Sequence, residues 1–223
     1  MACTIYATAQ TQGLGTWNIL NANMRLAQRW SVFAEGQIRS LRWYDHFHYY
    51  EIKGGGMHHF NENFTFALAG GYYNTYSRGG TFVEPKLSEE IRLWQQLIMK
   101  QSYGRLNFEH RYRAEQRFTN NGYRNRFRYR VGTTIPISKS STWFLNVSNE
   151  IFFTNREPYF ERNRLFVGAG HKVTPTLTVQ VGYLNQFDFN LVDEIGSDFF
   201  QIMFQFNLKR SPNGGDLAPG DID

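Results

Sequence analysis

Polar and apolar residues alternate with a period of two over most of this 223-residue chain. For example, Leu177, Val179 and Val181 lie on one side of an extended segment, with Thr178 and Gln180 on the other. Successive side chains of a β-strand point to opposite faces, so this period predicts strands rather than helices. Many alternating runs reach the ~9–11 residues with which a tilted strand crosses a bilayer. We therefore predict an all-β chain with long strands.

Eleven segments of the chain show this alternation. The connections between these segments alternate between short turns, such as SYGR, and longer loops, such as TNREPYFE. That arrangement is typical of outer-membrane barrels, and it predicts a single closed, antiparallel, transmembrane β-barrel of about 10–12 strands, with short periplasmic turns and longer extracellular loops. The predicted strands span residues 16–26, 30–43, 47–58, 64–76, 89–101, 105–118, 123–136, 142–154, 162–172, 176–188 and 198–209.

The two ends of the chain do not share the barrel pattern. A single-chain bacterial barrel usually has an even number of strands, so either residues 3–11 add a twelfth strand or one assignment is wrong. Residues 1–12 also contain the small-x-small motif ATA, which favours the remnant of a signal peptide over an extra strand. We expect the barrel over residues 13–209 and a disordered polar tail over residues 210–223.

The most charged part of the chain predicts a hairpin with one ionic face. In residues 105–118 the odd positions are mostly Arg or Glu, and the even positions are mostly aromatic or apolar. This parity reverses in residues 123–136. Opposed residues of an antiparallel pair share a face, so a tight loop places Glu115 opposite Arg126 and brings the two charged faces together.

A closed barrel accounts for these two-faced strands better than two alternatives. A soluble β-sandwich needs a second sheet packed over the aromatic faces. No strand has the sequence pattern expected of such a covering sheet. The net charge of +5 permits a nucleic-acid partner, but stacking on bases needs aromatics beside the basic groups, and the alternation separates them. No run of eighteen apolar residues occurs, which excludes a transmembrane helix but not short barrel strands. The expected partners are outer-membrane lipids, lipopolysaccharide, the barrel-assembly machinery and other envelope proteins, without nucleic acid.

The same parity argument predicts a lumen rich in arginine and glutamate. Basic residues exceed acidic ones on the inward positions, so two functions remain open: a small structural barrel braced by Arg–Glu pairs, or a passive, weakly anion-selective pore. We favour bracing. Less regular strands add Glu35, Gln37, Arg39, Glu51 and Lys53. The main predicted lumen residues are Glu90, Arg92, Glu109, Arg111, Arg113, Glu115, Arg117, Arg124, Arg126, Arg128, Arg130, Glu150, Arg162 and Arg164.

An enzymatic function receives little support from the motifs. The six histidines show no pairing with a nucleophile, and there is no zinc spacing, phosphate loop or dinucleotide motif. His110 is predicted on the lipid face, where Gln95, Gln116 and Tyr129 supply neither a serine nor an acid. We therefore predict no catalytic residue, metal or cofactor. A lipid-modifying acyl hydrolase or transferase is the alternative, with His110 as the residue to test.

Six ordered motifs resemble one known family: RLWQQL, HRYRAEQRF, RNRFRYR, NEIFF, RNRLFVGAG and VGYLNQF. They are similar to the "domain of unknown function 2490" family of Gram-negative outer-membrane β-barrel proteins, over roughly residues 14–209. The resemblance implies an outer-membrane location and carries no assigned activity. Barrels of this kind usually end on an aromatic strand residue, whereas a polar tail follows Leu208 in this chain.

Overall fold

The computed structural model describes residues 13–137, 142–189 and 195–209, and all regular structure in these residues is β. Each of the eleven predicted strands overlaps one observed strand, which confirms the all-β prediction. None of the described residues belongs to a helix able to span a bilayer. The strands are β1 (Leu14–Ala27), β2 (Trp30–Arg42), β3 (Asp45–His59), β4 (Phe64–Ser77), β5 (Val83–Tyr103), β6 (Leu106–Thr119), β7 (Gly122–Pro136), β8 (Trp143–Thr154), β9 (Phe160–Lys172), β10 (Leu177–Asp188) and β11 (Ile195–Lys209).

The eleven strands close into one barrel, in which each strand pairs with its neighbours in sequence. Ten of the pairings are antiparallel, as predicted, but β1 and β11 pair in parallel, from Leu14 opposite Asp198 to Arg25 opposite Lys209. The barrel is therefore mixed rather than purely antiparallel. The reason is the odd strand number, since strands that alternate in direction make the first and last run the same way. The predictions for residues 1–12 and 210–223 lie outside the described residues.

The hairpin of β6 and β7 has the predicted register. Glu115 lies opposite Arg126, and Arg117 lies opposite Arg124. The charged positions of both strands face the lumen, where Arg113, Glu115, Arg117 and Arg126 are buried. Between these positions lie side chains that face outward, such as Phe127, which is largely exposed on the outer surface.

Connections between strands define two ends of the barrel. We call the end where β1 meets β2 the first rim, and the end where β2 meets β3 the second rim. The predicted contrast in loop length between the rims is smaller than expected, because β5 begins at Val83 inside a segment predicted to be a loop. Pro85 breaks the apolar pattern there and lacks a backbone N–H, and the register of β4 against β5 shifts on both sides of Tyr76.

The parallel pairing of β1 with β11 can be tested by cross-linking. Leu20 and Phe204 are paired across these strands and face outward. Neighbouring strands lie ~4.8 Å apart, within disulfide range. With Cys3 replaced by Ala, we expect Leu20→Cys combined with Phe204→Cys to form a disulfide under mild oxidation, detected by non-reducing electrophoresis and mass spectrometry.

The control for this experiment moves one cysteine along β11. Leu208 lies four residues beyond Phe204, which is ~13 Å along a strand and too far for a disulfide with position 20. Leu20→Cys combined with Leu208→Cys should therefore stay reduced. A bond in the control pair and none in the test pair would contradict the parallel register.

Candidate functional site: the charged lumen

A cavity of about 590 Å³ occupies the half of the lumen nearer the second rim. Its edge at the second rim includes Arg78, Asn121 and Arg156, which lie in the connections between strands. Fourteen Lys and Arg side chains line this cavity, against six Asp and Glu. We call it the upper cavity, and its surface is strongly positive.

A chain of ion pairs crosses the wall between β5 and β9. Glu90 on β5 accepts from the Nε and terminal nitrogen of Arg117 on β6 at 2.9 and 2.5 Å, and from Arg92 at 2.8 Å. Glu161 on β9 accepts two parallel hydrogen bonds from Arg126 on β7, at 2.8 and 2.6 Å. Such two-point guanidinium–carboxylate contacts are among the strongest and most directional that side chains make.

Glu115 lies at the centre of this chain and has a fully buried side chain. Its nearest cation is Arg128 at 2.7 Å, while Arg113 and Arg126 lie at 3.7 and 3.8 Å. The closest partner is thus the diagonal neighbour on β7 rather than Arg126, the residue directly opposite. Three guanidinium groups on two strands share this one carboxylate, and a buried carboxylate persists only when cations compensate it in this way.

Glu150 on β8 continues the chain around the wall. Arg128 donates to it at 2.8 Å, which links Glu150 to Glu115 through one guanidinium. Arg111 lies 3.3 Å and Arg164 3.7 Å from the same carboxylate. Five strands are therefore tied together by ion pairs inside the lumen, in addition to their backbone ladders.

Aromatic rings hold several of the guanidinium groups in place. Arg92 lies 3.8 Å from the ring centre of Tyr73, and Arg113 lies 4.0 Å from that of Trp94. The quadrupole of a ring attracts a cation over its face, more so where water is excluded. These contacts fix the positions of arginines that share a carboxylate with other cations.

The sequence profile of one family, described as "Protein of unknown function (DUF2490)", matches residues 14–194. The chain belongs to this family. None of the curated proteins and none of the solved structures compared with it matches. The match spans β1 to β10 and so includes every strand of the ion-pair chain.

Thirteen of the fourteen main predicted lumen residues of this DUF2490 chain lie around one region. Twelve of them line the upper cavity, and Glu115 is buried beside it. Glu109 lies apart, opposite Lys100 of β5 towards the first rim. Of the less regular set, Gln37, Arg39, Glu51 and Lys53 line the cavity, and Glu35 accepts from Lys53 at 2.5 Å.

Glu161 was missed by the parity argument, which places Arg162 inward and so directs its neighbour outward. A register shift between Phe152 and Phe153 leaves Glu161 as the extra residue of β9. A bulge of this kind turns the chain locally and redirects a side chain. Both Glu161 and Arg162 therefore line the upper cavity. An acid next to an inward arginine near the end of a strand is the signal that could have indicated it.

The half of the lumen nearer the first rim is filled by buried side chains, polar ones such as Asn21 and Gln205 as well as apolar ones. Phe33, Met57, Ala67 and Trp94 pack together there, and each is buried. We call these four residues the apolar floor, and none of them lines the upper cavity. Because they face the lumen and yet are hardly exposed, they help to fill it beside β2 to β5. The alternation of β5 predicts the inward position of Trp94, in phase with Glu90 and Arg92, and the structure confirms it.

Histidines of the described residues form no metal site, and no group of three or more potential metal ligands occurs among them. The ring of His110 faces outward, as predicted, and its Nδ1 lies 2.8 Å from the hydroxyl of Tyr129. At the second rim, the backbone N–H and the ring of His46 bond the carboxylate of Asp45, which lowers the pKa of Asp45. One serine–histidine contact is present, since Ser31 Oγ lies 2.6 Å from His59 Nε2, but the other ring nitrogen of His59 contacts the hydroxyl of Thr65 rather than a carboxylate.

Replacing Glu115 tests whether the ion-pair chain braces the barrel. Glu115→Gln leaves three guanidinium groups without their shared carboxylate, so we expect the free energy of unfolding to fall by about 3–5 kcal/mol. Urea unfolding in detergent micelles, followed by tryptophan fluorescence, measures this loss. The matched control is Glu62→Gln, an exposed residue between β3 and β4, with an expected change within about 0.5 kcal/mol. A loss at Glu115 no larger than the control would remove the bracing role.

Proposed function

We propose that this protein is an integral outer-membrane barrel whose charged lumen braces the wall and does not conduct. The observation that carries the membrane location is an apolar belt on the outer surface. Every one of the eleven strands exposes at least one large apolar side chain, and contiguous apolar surface of this extent marks contact with lipid or protein. One such residue from each strand is Leu20, Trp30, Ile52, Leu68, Leu93, Phe118, Phe127, Val147, Leu165, Val181 and Phe204.

Exposed aromatic residues at both rims support the same proposal. Trp and Tyr favour the interface between lipid and water, where the ring is shielded and the polar edge meets headgroups. Exposed aromatics at the first rim are Trp30, Phe64, Tyr103 and Trp143. Exposed aromatics at the second rim are Trp43, Tyr44, Tyr123 and Tyr159.

Polar side chains on the outer surface satisfy one another across strands. The amides of Gln95 and Gln116 exchange two hydrogen bonds of 3.2 and 3.1 Å. Asn149 and Asn163 form a second reciprocal pair, at 3.1 and 3.3 Å. A polar group in hydrocarbon must find its partner within the protein, so this pairing suits a lipid-facing surface.

The apolar floor supports a braced barrel over the other function left open by the sequence, a weakly anion-selective pore. An open channel needs a continuous water-filled path, whereas the apolar floor and buried polar side chains such as Asn23 and Gln205 occupy the lumen towards the first rim. The ion pairs above it are mostly short and shared, as bracing requires. We infer that lipids, lipopolysaccharide and the barrel-assembly machinery are the partners of this barrel. We also infer no catalytic role, since the partner of His110, Tyr129, is neither a serine nor an acid.

Insertion in a bilayer predicts a specific sensitivity on the outer belt. Ile52 is 65% exposed, so Ile52→Arg would change stability little in a barrel surrounded by water. In a bilayer, an outward arginine near mid-depth costs about 2–4 kcal/mol. We expect this loss in urea unfolding from liposomes, with Val173→Arg in the connection after β9 as the exposed control near zero. Equal effects of the two substitutions would argue against insertion.

Planar-bilayer recording tests whether the barrel conducts. We expect no unitary current steps from the native protein, because the apolar floor closes the lumen. Replacing Trp94 and Phe33 together by Ala should open the floor and produce currents that favour anions, given the arginine-lined cavity above. Anion-selective steps from the native protein, reduced in selectivity by Arg126→Glu, would instead support the pore.

A further inference from the structure

We propose that the upper cavity binds a small soluble polyanion, held by the guanidinium groups of Arg39, Arg162 and Arg164. This site goes beyond the bracing role, because it assigns a ligand to the space that the ion pairs leave unfilled. It requires neither conduction nor turnover, so it stands or falls separately from the proposed membrane function.

The three arginines converge on the cavity from β2 and β9. Arg39 lies 3.4 Å from the ring centre of Trp17 and 4.0 Å from that of Tyr49. Arg164 lies 4.8 Å from the same indole. One tryptophan thus supports two cations, and the ring of Phe152 lies 4.7 Å from Arg164 and 5.7 Å from Arg162, so the three guanidinium groups are close enough to repel one another. Fixed groups of like charge are the arrangement that a bound anion relieves.

The acids near Arg39 and Arg164 are shared with other cations, whereas Arg162 is paired with Asp188. Glu51 lies 3.4 Å from Arg39 but only 2.9 Å from Lys53. Glu150 lies 3.7 Å from Arg164 but 2.8 Å from Arg128. The carboxylates therefore compensate Arg39 and Arg164 only in part.

A second observation points to a ligand at the same place. The Nε of Arg39 is buried and has no hydrogen-bond partner in the described part of the chain. The whole side chain is more than nine-tenths buried and lines the upper cavity. An unpaired buried donor is costly, and an oxygen of a bound anion would satisfy it.

The size and charge of the cavity define the class of ligand. A volume of about 590 Å³ lies within the range of small-molecule sites. The planar fork of arginine matches the two oxygens of a carboxylate or phosphate group. Arg78, Arg124 and Arg156 at the second rim extend the positive surface outward, which favours entry of anions from that side. The ligand we infer carries at least two phosphate or carboxylate groups.

Titration calorimetry of the full-length protein in detergent micelles tests this inference. The probes are pyrophosphate and citrate, at ionic strength held constant with sodium chloride. We expect saturable binding of one probe molecule per barrel, and the tighter of the two distinguishes a phosphate from a carboxylate ligand. Arg39→Gln and Arg164→Gln should each weaken binding at least about tenfold, since each removes charge-assisted hydrogen bonds. Arg105→Gln, exposed between β5 and β6, is the matched control and should bind as the native protein does.

Two further measurements keep the result decisive if the interior variants do not fold. Arg164→Lys keeps the charge and loses the fork, so it should bind with intermediate affinity. On the native protein, pyrophosphate or citrate should protect Arg39 and Arg164 from phenylglyoxal modification, as read by mass spectrometry, while Arg105 stays reactive. Binding that is equal in all variants, heat that chloride alone reproduces, or modification without protection would overturn the proposal.

Discussion

The strict alternation of side chains along each strand is the constraint on which this structure depends. Because the sheet closes into a barrel, the inward faces of all strands border one lumen. Ionic side chains of most strands therefore meet in this lumen, and apolar side chains form one outer surface. Carboxylates buried in the wall are compensated by neighbouring cations rather than by bulk water, and Glu115 lies among three guanidinium groups.

The lumen combines two kinds of packing that divide the barrel along its axis. Towards the first rim, the apolar floor and buried polar side chains together fill the space as a protein core does. Towards the second rim, long arginine side chains leave a cavity, because like charges keep apart and rings hold several of them against the wall. The division explains how one small barrel can be both firmly braced and locally hollow.

Much of this arrangement could be predicted from the sequence. The reversed parity of the two strands around residues 119–122 was enough to place Glu115 opposite Arg126. The inward position of Glu161 could not be predicted by counting, because a single bulge beside Phe152 shifts the parity of everything before it in β9. The apolar floor was also hidden, since alternation does not say how far along the axis an inward apolar residue lies.

The parallel pairing of β1 with β11 makes one junction of the cylinder unlike the other ten. The antiparallel neighbours are joined by short connections and can pair locally. By contrast, β1 and β11 are separated by almost the whole chain, although Trp17 lies beside Gln201. Parallel ladders are slightly weaker per residue, and distant pairings form late because loop closure opposes them. Assembly of the barrel therefore finishes at this junction. Thermal fluctuation will separate β1 from β11 before it separates the antiparallel pairs.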